Sequence, residues 1–511
     1  MYLKVYIIKK AITTILVILY ACTLGYSNDF SPSQLVSEET TPQNFYPDMA
    51  ITDDGKIYVV WVNTTGGGDI YFSKSTNHGA TFSEYVPVNQ SPNHASSIGF
   101  NGPKIAERND TLHVLWSDER NGYSHTSAFY ARSVDGGVTW EESQVGHENG
   151  INLYPELMVD SDGVIHAVFH YFMPGSWSYR NIEHTRSTNG GDTWSDFKNV
   201  SNYYPGEPCD CCPIELHQKP DGQIIAGFRN NHDNIRDIFS MDWNTNNNSW
   251  VNFSQISYDD YNVGYCPSSG PSIVSMDSLV AVVYMTESGD ENRIFLSLSE
   301  DYGDTFSVQI PIDTSGTNIF QNHPSATITN DRNIHLIWED SRDNGNILYG
   351  ELESGNDHIT NISTVNDSMT NSQEIAPSLG SDEEGYLYAV WVDCRYGRHI
   401  RFSTTYPLEL SGQQEQKLPN RFLISNAYPN PFNPTTTLRY DLADDAMVTI
   451  SIYDLMGRSI RLLVNRRQTA GYRFIQWDAT NNLGEPVSAG MYLYTIQAGD
   501  FRQTKKMVLL K

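Results

Sequence analysis

The sequence predicts an all-β chain: a seven-bladed β-propeller, with six blades as the alternative, followed by a small β-sandwich. Three observations predict it. Aromatics make up 12% of the 511 residues, including 31 Tyr and 10 Trp, whereas charged residues make up only 18%. Aromatic and β-branched residues favour strands. One unit then recurs along most of the chain, and a different strand pattern takes over near Leu423.

The unit is a proline, an apolar strand, a Gly or Asn turn, a more apolar strand ending in an aromatic, a loop, and a third strand. Its prolines are Pro47, Pro103, Pro155, Pro213, Pro271, Pro324 and Pro377, spaced 52 to 58 residues apart. Each period has room for about four short strands, which is one propeller blade. The seventh unit stops after its third strand. The segment before Pro47 looks like a fourth strand elsewhere, so the N-terminal strand is expected to complete the last blade and remove an exposed edge.

Formal net charge is −28, from 33 basic and 61 acidic residues. Nucleic acid binding needs a basic face, so it is excluded. No internal stretch is apolar enough to span a membrane. Residues 1–27 read as a signal peptide: Lys4, Lys9 and Lys10 precede the apolar run Ala11 to Leu24, with cleavage near Ser27. The alternative is lipidation at Cys22, after the lipobox-like Leu19-Tyr20-Ala21. The propeller is expected over 28–410 and a linker over 411–422.

After the third strand of several units comes S-x-D-x-G-x-T-aromatic. Full copies are Ser133, Asp135, Gly137, Thr139, Trp140 and Ser299, Asp301, Gly303, Thr305, Phe306; Asn77 and Asn189 stand at the Asp position in two more. Asp or Asn bonds its own downstream backbone and Gly supplies φ > 0, so these are turn residues with a structural role. The pattern resembles the Asp-box (BNR) repeat of sialidase-like propellers. That resemblance implies the fold and puts the boxes on the face away from the ligand.

The opposite face carries a second motif, W-x-D-x-R. It gives Asp118 with Arg120, Asp340 with Arg342, and Asp393 with Arg395. Unit four has Phe228-Arg229-Asn230 at the matching place, with Arg236 nearby. Arg reads carboxylates and sulfates bidentately, so a ring of these arginines suits an acidic glycan. The same Asp and Arg could instead brace their own blades. Unit three departs from the pattern with His170-Tyr171, a candidate base and acid, and with His184.

Cys209, Cys211 and Cys212 enter unit four, and Cys266 enters unit five by the equivalent loop. Disulfides suit an exported chain; a zinc or copper thiolate site is the alternative. No cofactor is otherwise indicated. This stretch resembles exported bacterial proteins of sialidase-like type, which brings no settled activity.

The tail, 423–511, alternates strands and turns as a small Ig-like β-sandwich. Tyr428-Pro429-Asn430-Pro431-Phe432-Asn433-Pro434, Gly457-Arg458 and Gly490-Met491-Tyr492 carry its resemblance to the C-terminal sorting domain of type IX secretion cargo. The resemblance implies handling by that machinery and a secreted or outer-surface location.

The expected function is a glycan-directed propeller acting as a monomer. As an enzyme it would be a sialidase-like exo-glycosidase on acidic glycans, with Asp118, Asp340 and Asp393 available as acids. The alternatives are a uronate lyase using His170 and Tyr171, or a non-catalytic binding propeller.

Overall fold

In the computed structural model, described residues are 30–408 and 422–510, apart from 38–42, 174–179, 202–205, 367–372 and some single or paired positions. The signal peptide expected over 1–27 lies outside them, as do residues 411–421 of the expected linker and the Tyr428-Pro429 mark of the tail. The chain divides into two compact units, Met1–Pro407 and Leu408–Lys511.

Strands dominate both units; the one helical element among the described residues is a single turn, Tyr123–His125. Among the described residues the first unit contains seven antiparallel sheets, six of four strands and one of five. Sheet one is Asn44–Ile51, Ile57–Asn63, Asp69–Ser75 and Val86–Pro87. Sheets two to six repeat this meander through Thr364. Sheet seven joins Glu374–Ser381, Leu387–Asp393 and His399–Thr404 to Gln34–Leu35, which pairs with Phe402 and Arg401 from the other end of the unit.

The second strands explain the apolar runs. Every residue of Ile57–Asn63 and of Leu387–Asp393 is buried. A strand covered on both faces reads as continuous apolar sequence rather than alternation.

The Asp boxes join strands three and four and also clamp neighbouring sheets. Asp135 Oδ1 accepts from the Val138 and Thr139 amides, and the Ser133 hydroxyl accepts from the Gly137 amide. Gly137 sits at φ 86, where a Cβ would lie 2.1 Å from Phe72 of sheet one; only glycine fits there. Trp140 packs edge-on against that same Phe72. Trp194 does so on Tyr130, and Phe82 of sheet one on Phe402 of sheet seven. First and last sheets are thus tied by a strand and by a box.

The chain at the start of every sheet converges on one cavity of about 350 Å³, lined by the repeated prolines or the residues beside them. Three neighbouring pairs of sheets are bonded at this place. The Ile105 amide donates to Asp48, that of Ala326 to Ser272 and that of Leu379 to Ser325. Lys104 reaches Glu156 at 2.9 Å. Burial opposes charge on Lys104, but Glu156, Asp48 and Glu215 hold its pKa above the ordinary value. Burial pushes the carboxyls of Glu156 and Glu215 up.

In the second unit, Leu423–Ile424, Thr436–Leu442 and Gly471–Trp477 form one sheet. Ser459–Gln468, Ala446–Tyr453, Gly490–Ala498 and Phe501–Leu509 form another. Leu438, Tyr440 and Trp477 of the first share a core with Ile450, Tyr494 and Met507 of the second. Among the described residues no helix is long and apolar enough to cross a membrane.

Candidate functional site

The three W-x-D-x-R corners turn inward on themselves. Asp118 accepts from the Arg120 amide and guanidinium and from the Trp116 indole, and Arg120 donates onward to Glu142 at 2.6 Å. Arg342 is shared by Asp340 and Asp313, and Arg395 by Asp393, with Glu374 3.8 Å away. Asp118, Asp340 and Asp393 are only 1–2% exposed. Their oxygens are occupied and shielded in this arrangement. Arg120, Arg342 and Arg395 are paired within this network and remain partly exposed.

Arg229 also departs from expectation. It is 1% exposed and donates to the carbonyls of Ser269, Arg236 and Met285. Arg236 donates to the Val263 carbonyl and to Cys209 Sγ. Neither guanidinium faces solvent, so neither reads a glycan directly.

His170 and Tyr171 are successive residues of Ile165–Phe172, so their side chains leave on opposite faces. His170 is buried with Nε2 3.0 Å from the Cys212 carbonyl, and burial holds its pKa down to about 4. Tyr171 lies against His147, with ring centroids 4.1 Å apart. They do not form an acid–base pair. His184 is buried in the sheet, stacked on His166.

The turn between Glu207–Pro208 and Glu215–Gln218 of sheet four carries three cysteines, and Cys266 comes from the connection into sheet five. Cys211 and Cys266 form a disulfide with Cα atoms 6.1 Å apart. Cys209 Sγ lies 3.2 Å from Cys212 and 3.7 Å from Cys211, all three buried. The hydrogen bond from Cys212, with Arg236 and Arg229 nearby, holds the Cys209 thiol down to about 7 against burial, while burial pushes Cys212 up. Beside them Arg180 pairs with Glu207 at 2.5 Å and with Asp210.

A feature that motif reading missed lies in the residue before each repeated proline, five of which line the cavity. These residues are Tyr46, Gly102, Tyr154, Cys212, Gly270, His323 and Ala376. Tyr46, Tyr154, His323 and Ala376 all have positive φ, between 45 and 54. Each sits in a bulge where its first strand slips register against the second. Such conformations cost about 1–3 kcal/mol each and persist only where the surroundings fix them.

The bulges assemble a run of rings over the cavity. Arg398 lies 4.2 Å over the ring of Phe45, which neighbours Tyr46 at 5.7 Å. Tyr46 meets Phe100 at 5.3 Å, and Phe100 stacks on His323 at 3.9 Å. His323 Nδ1 is 2.9 Å from Glu339, and its Nε2 is 2.9 Å from the Ser268 carbonyl, so both ring nitrogens face acceptors. Phe100 comes from the long connection between sheets one and two, and it brings sheets one and six together across the mouth. The signal that could have found this site was the residue preceding each invariant proline, where bulky and small side chains alternate irregularly.

A family model described as a BNR repeat-like domain matches residues 49–209, and one described as a secretion system C-terminal sorting domain matches residues 426–510. No curated protein matches the chain. Among solved structures, a polysaccharide lyase of family PL25, an ulvan lyase, is 13% identical with TM-score 0.49, covering 74% of this chain and 94% of its own. The NanB sialidase of Streptococcus pneumoniae is 14% identical with TM-score 0.40, covering 73% and 70%. A GH93 α-L-arabinofuranosidase of Fusarium graminearum is 14% identical with TM-score 0.42, covering 73% and 97%. The chain therefore carries a BNR repeat-like domain over residues 49–209 and, over residues 426–510, a C-terminal sorting domain that indicates type IX secretion to the cell surface or extracellular space.

Proposed function

We propose that this is a secreted glycan-directed propeller of seven blades, one per sheet, whose ligand lies across the cavity mouth on Tyr46, Phe100 and His323. The observation that carries the reading is the continuous run from Arg398 through Phe45, Tyr46 and Phe100 to His323 and Glu339. Sugar faces stack on aromatic rings. An arginine at one end suits a carboxylated or sulfated unit.

Of the reactions open to such a site, elimination from a uronate fits better than hydrolysis. Hydrolysis needs two accessible carboxyl groups at set separation across the bond, and Asp118, Asp340 and Asp393 are locked under their arginines. Elimination needs proton-handling groups and a cation for the carboxylate. Tyr46 and His323 are of the first kind and Arg398 of the second. A base takes the C5 proton, the C4–O bond breaks with its electron pair on the leaving oxygen, that oxygen takes a proton, and a C4–C5 double bond forms. No water is consumed.

The test is incubation with uronate-containing sulfated polysaccharides, following the ultraviolet absorbance of the new double bond. Tyr46→Phe and Arg398→Ala are expected to lower turnover by about 100-fold or more. New reducing ends without absorbance would replace elimination with hydrolysis. Binding that survives both substitutions, with no turnover, would remove the mouth as the site.

A further inference from the structure

We propose that the four cysteines Cys209, Cys211, Cys212 and Cys266 form, when reduced, a tetrathiolate zinc site that is mutually exclusive with the Cys211–Cys266 disulfide. The sulfurs of Cys209, Cys211 and Cys212 already lie within 4.8 Å of one another. The disulfide brings the fourth sulfur, from the neighbouring loop, onto Cys211 at the edge of that group. Four thiolates at about 2.3 Å from a tetrahedral zinc stand roughly 3.8 Å apart. The observed 3.2 and 3.7 Å separations from Cys209 to Cys212 and Cys211 are already close to that. The turn is held by its backbone: the Cys209 amide donates to the Arg229 carbonyl and the Cys212 amide to the Cys209 carbonyl.

A second observation points the same way. Arg229 and Arg236 are 1% and 8% exposed, and among the described residues neither pairs with a carboxylate. A buried cation held only by neutral carbonyls is costly, and such groups are normally compensated by an anion. Zinc with four thiolates carries a net charge of about −2, which two guanidinium groups balance. Arg236 already donates to Cys209 Sγ at 2.9 Å, the outer-shell contact that orients a metal-bound sulfur. A copper(I) site would be complete with two or three sulfurs; the delivery of a fourth favours zinc. Loading the reduced chain transfers no electrons. Four thiols lose their protons to solvent as four zinc–sulfur bonds form.

The experiment uses the full exported chain, purified under a phosphine reductant without chelator. Elemental analysis should find about one zinc per chain. Titration with a mercurial thiol reagent should release it, and cobalt(II) exchange should give the intense sulfur-to-metal absorption of a tetrahedral thiolate site. Cys212→Ser should lose the metal, and Cys394→Ser, outside the cluster, should keep it. Should Cys212→Ser fail to fold, the mercurial titration of the unaltered chain decides alone. Folded, reduced protein with freely alkylated cysteines and no zinc overturns the proposal. So does copper(I) bound in place of zinc, or zinc that stays after all four sulfurs are blocked.

Discussion

The corners of units six and four each hold an arginine near the end of the second strand and use it in opposite ways. In unit six, Arg342 follows Asp340, bonds it, and reaches Asp313 with 27% of its side chain exposed. In unit four the Asp is replaced by Asn230, and Arg229 turns inward to three carbonyls. A repeated motif therefore marks a brace, and the copy that loses its partner marks where the molecule builds something else. Here that is the cysteine cluster.

Substitution of the two arginines tests the contrast most strongly. Arg229→Met would strand the Ser269, Arg236 and Met285 carbonyls in the interior. It is expected to cost about 3–5 kcal/mol. Arg342→Met leaves Asp340 its bonds from the Arg342 backbone amide and Gln321, and Asp313 its bond from the Ser315 amide, and should cost less, about 1–2 kcal/mol. Urea unfolding followed by far-ultraviolet circular dichroism measures both. Equal costs, or the reverse order, would break the distinction between brace and buried anchor.

Asp237 sharpens the comparison from the unit-four side. Burial, with Asp259 nearby, pushes its carboxyl up to about 6. In the unfolded chain it titrates near about 3.9. A carboxyl raised by folding adds stability that is complete below the unfolded value and lost as pH rises through the folded one. Asp237→Asn should thus gain on the unaltered protein between about pH 4 and 7, by on the order of 1–2 kcal/mol. The amide oxygen can still accept from Ser257 and the Tyr261 amide, as the carboxylate does. Urea midpoints at intervals across that range read the effect; a difference independent of pH would show that the carboxyl is not raised.

The same contrast explains what could be read from the sequence. Pro47 to Pro377 and the Asp boxes report strand order and turns because local physics writes them: a proline cannot extend a ladder, and Gly137 cannot become any other residue beside Phe72. The partner of each arginine was harder. W-x-D-x-R contains its own acceptor, so the braced outcome was visible as an alternative, but nothing local told that Arg229 would meet Met285, 56 residues on. The mouth was hidden for another reason. Tyr46 and His323 are 277 positions apart, and they meet through Phe100 only because the sheets close on one cavity. Such a site is a property of closure, not of any segment.

The smallest effect is expected at the Asp boxes, and it tests whether a repeated residue is interchangeable. Asp301 accepts from the Ser299 and Thr305 hydroxyls and the Thr305 amide, and these bonds hold its carboxyl down to about 2. Asn77 and Asn189 make the matching turn with an amide oxygen that accepts from Thr81 and Thr193. Asp301→Asn should therefore leave the thermal midpoint near pH 7 nearly unchanged. A carboxyl lowered by folding adds stability that is present above about pH 3.9 and lost as pH falls through the folded value. On acidification from pH 4 toward 2, the unaltered protein should lose midpoint that the Asn variant keeps. A clear loss at neutral pH would mean that the negative charge, and not the turn geometry, is what the box contributes, and the units with Asn would then need another source of the same stability.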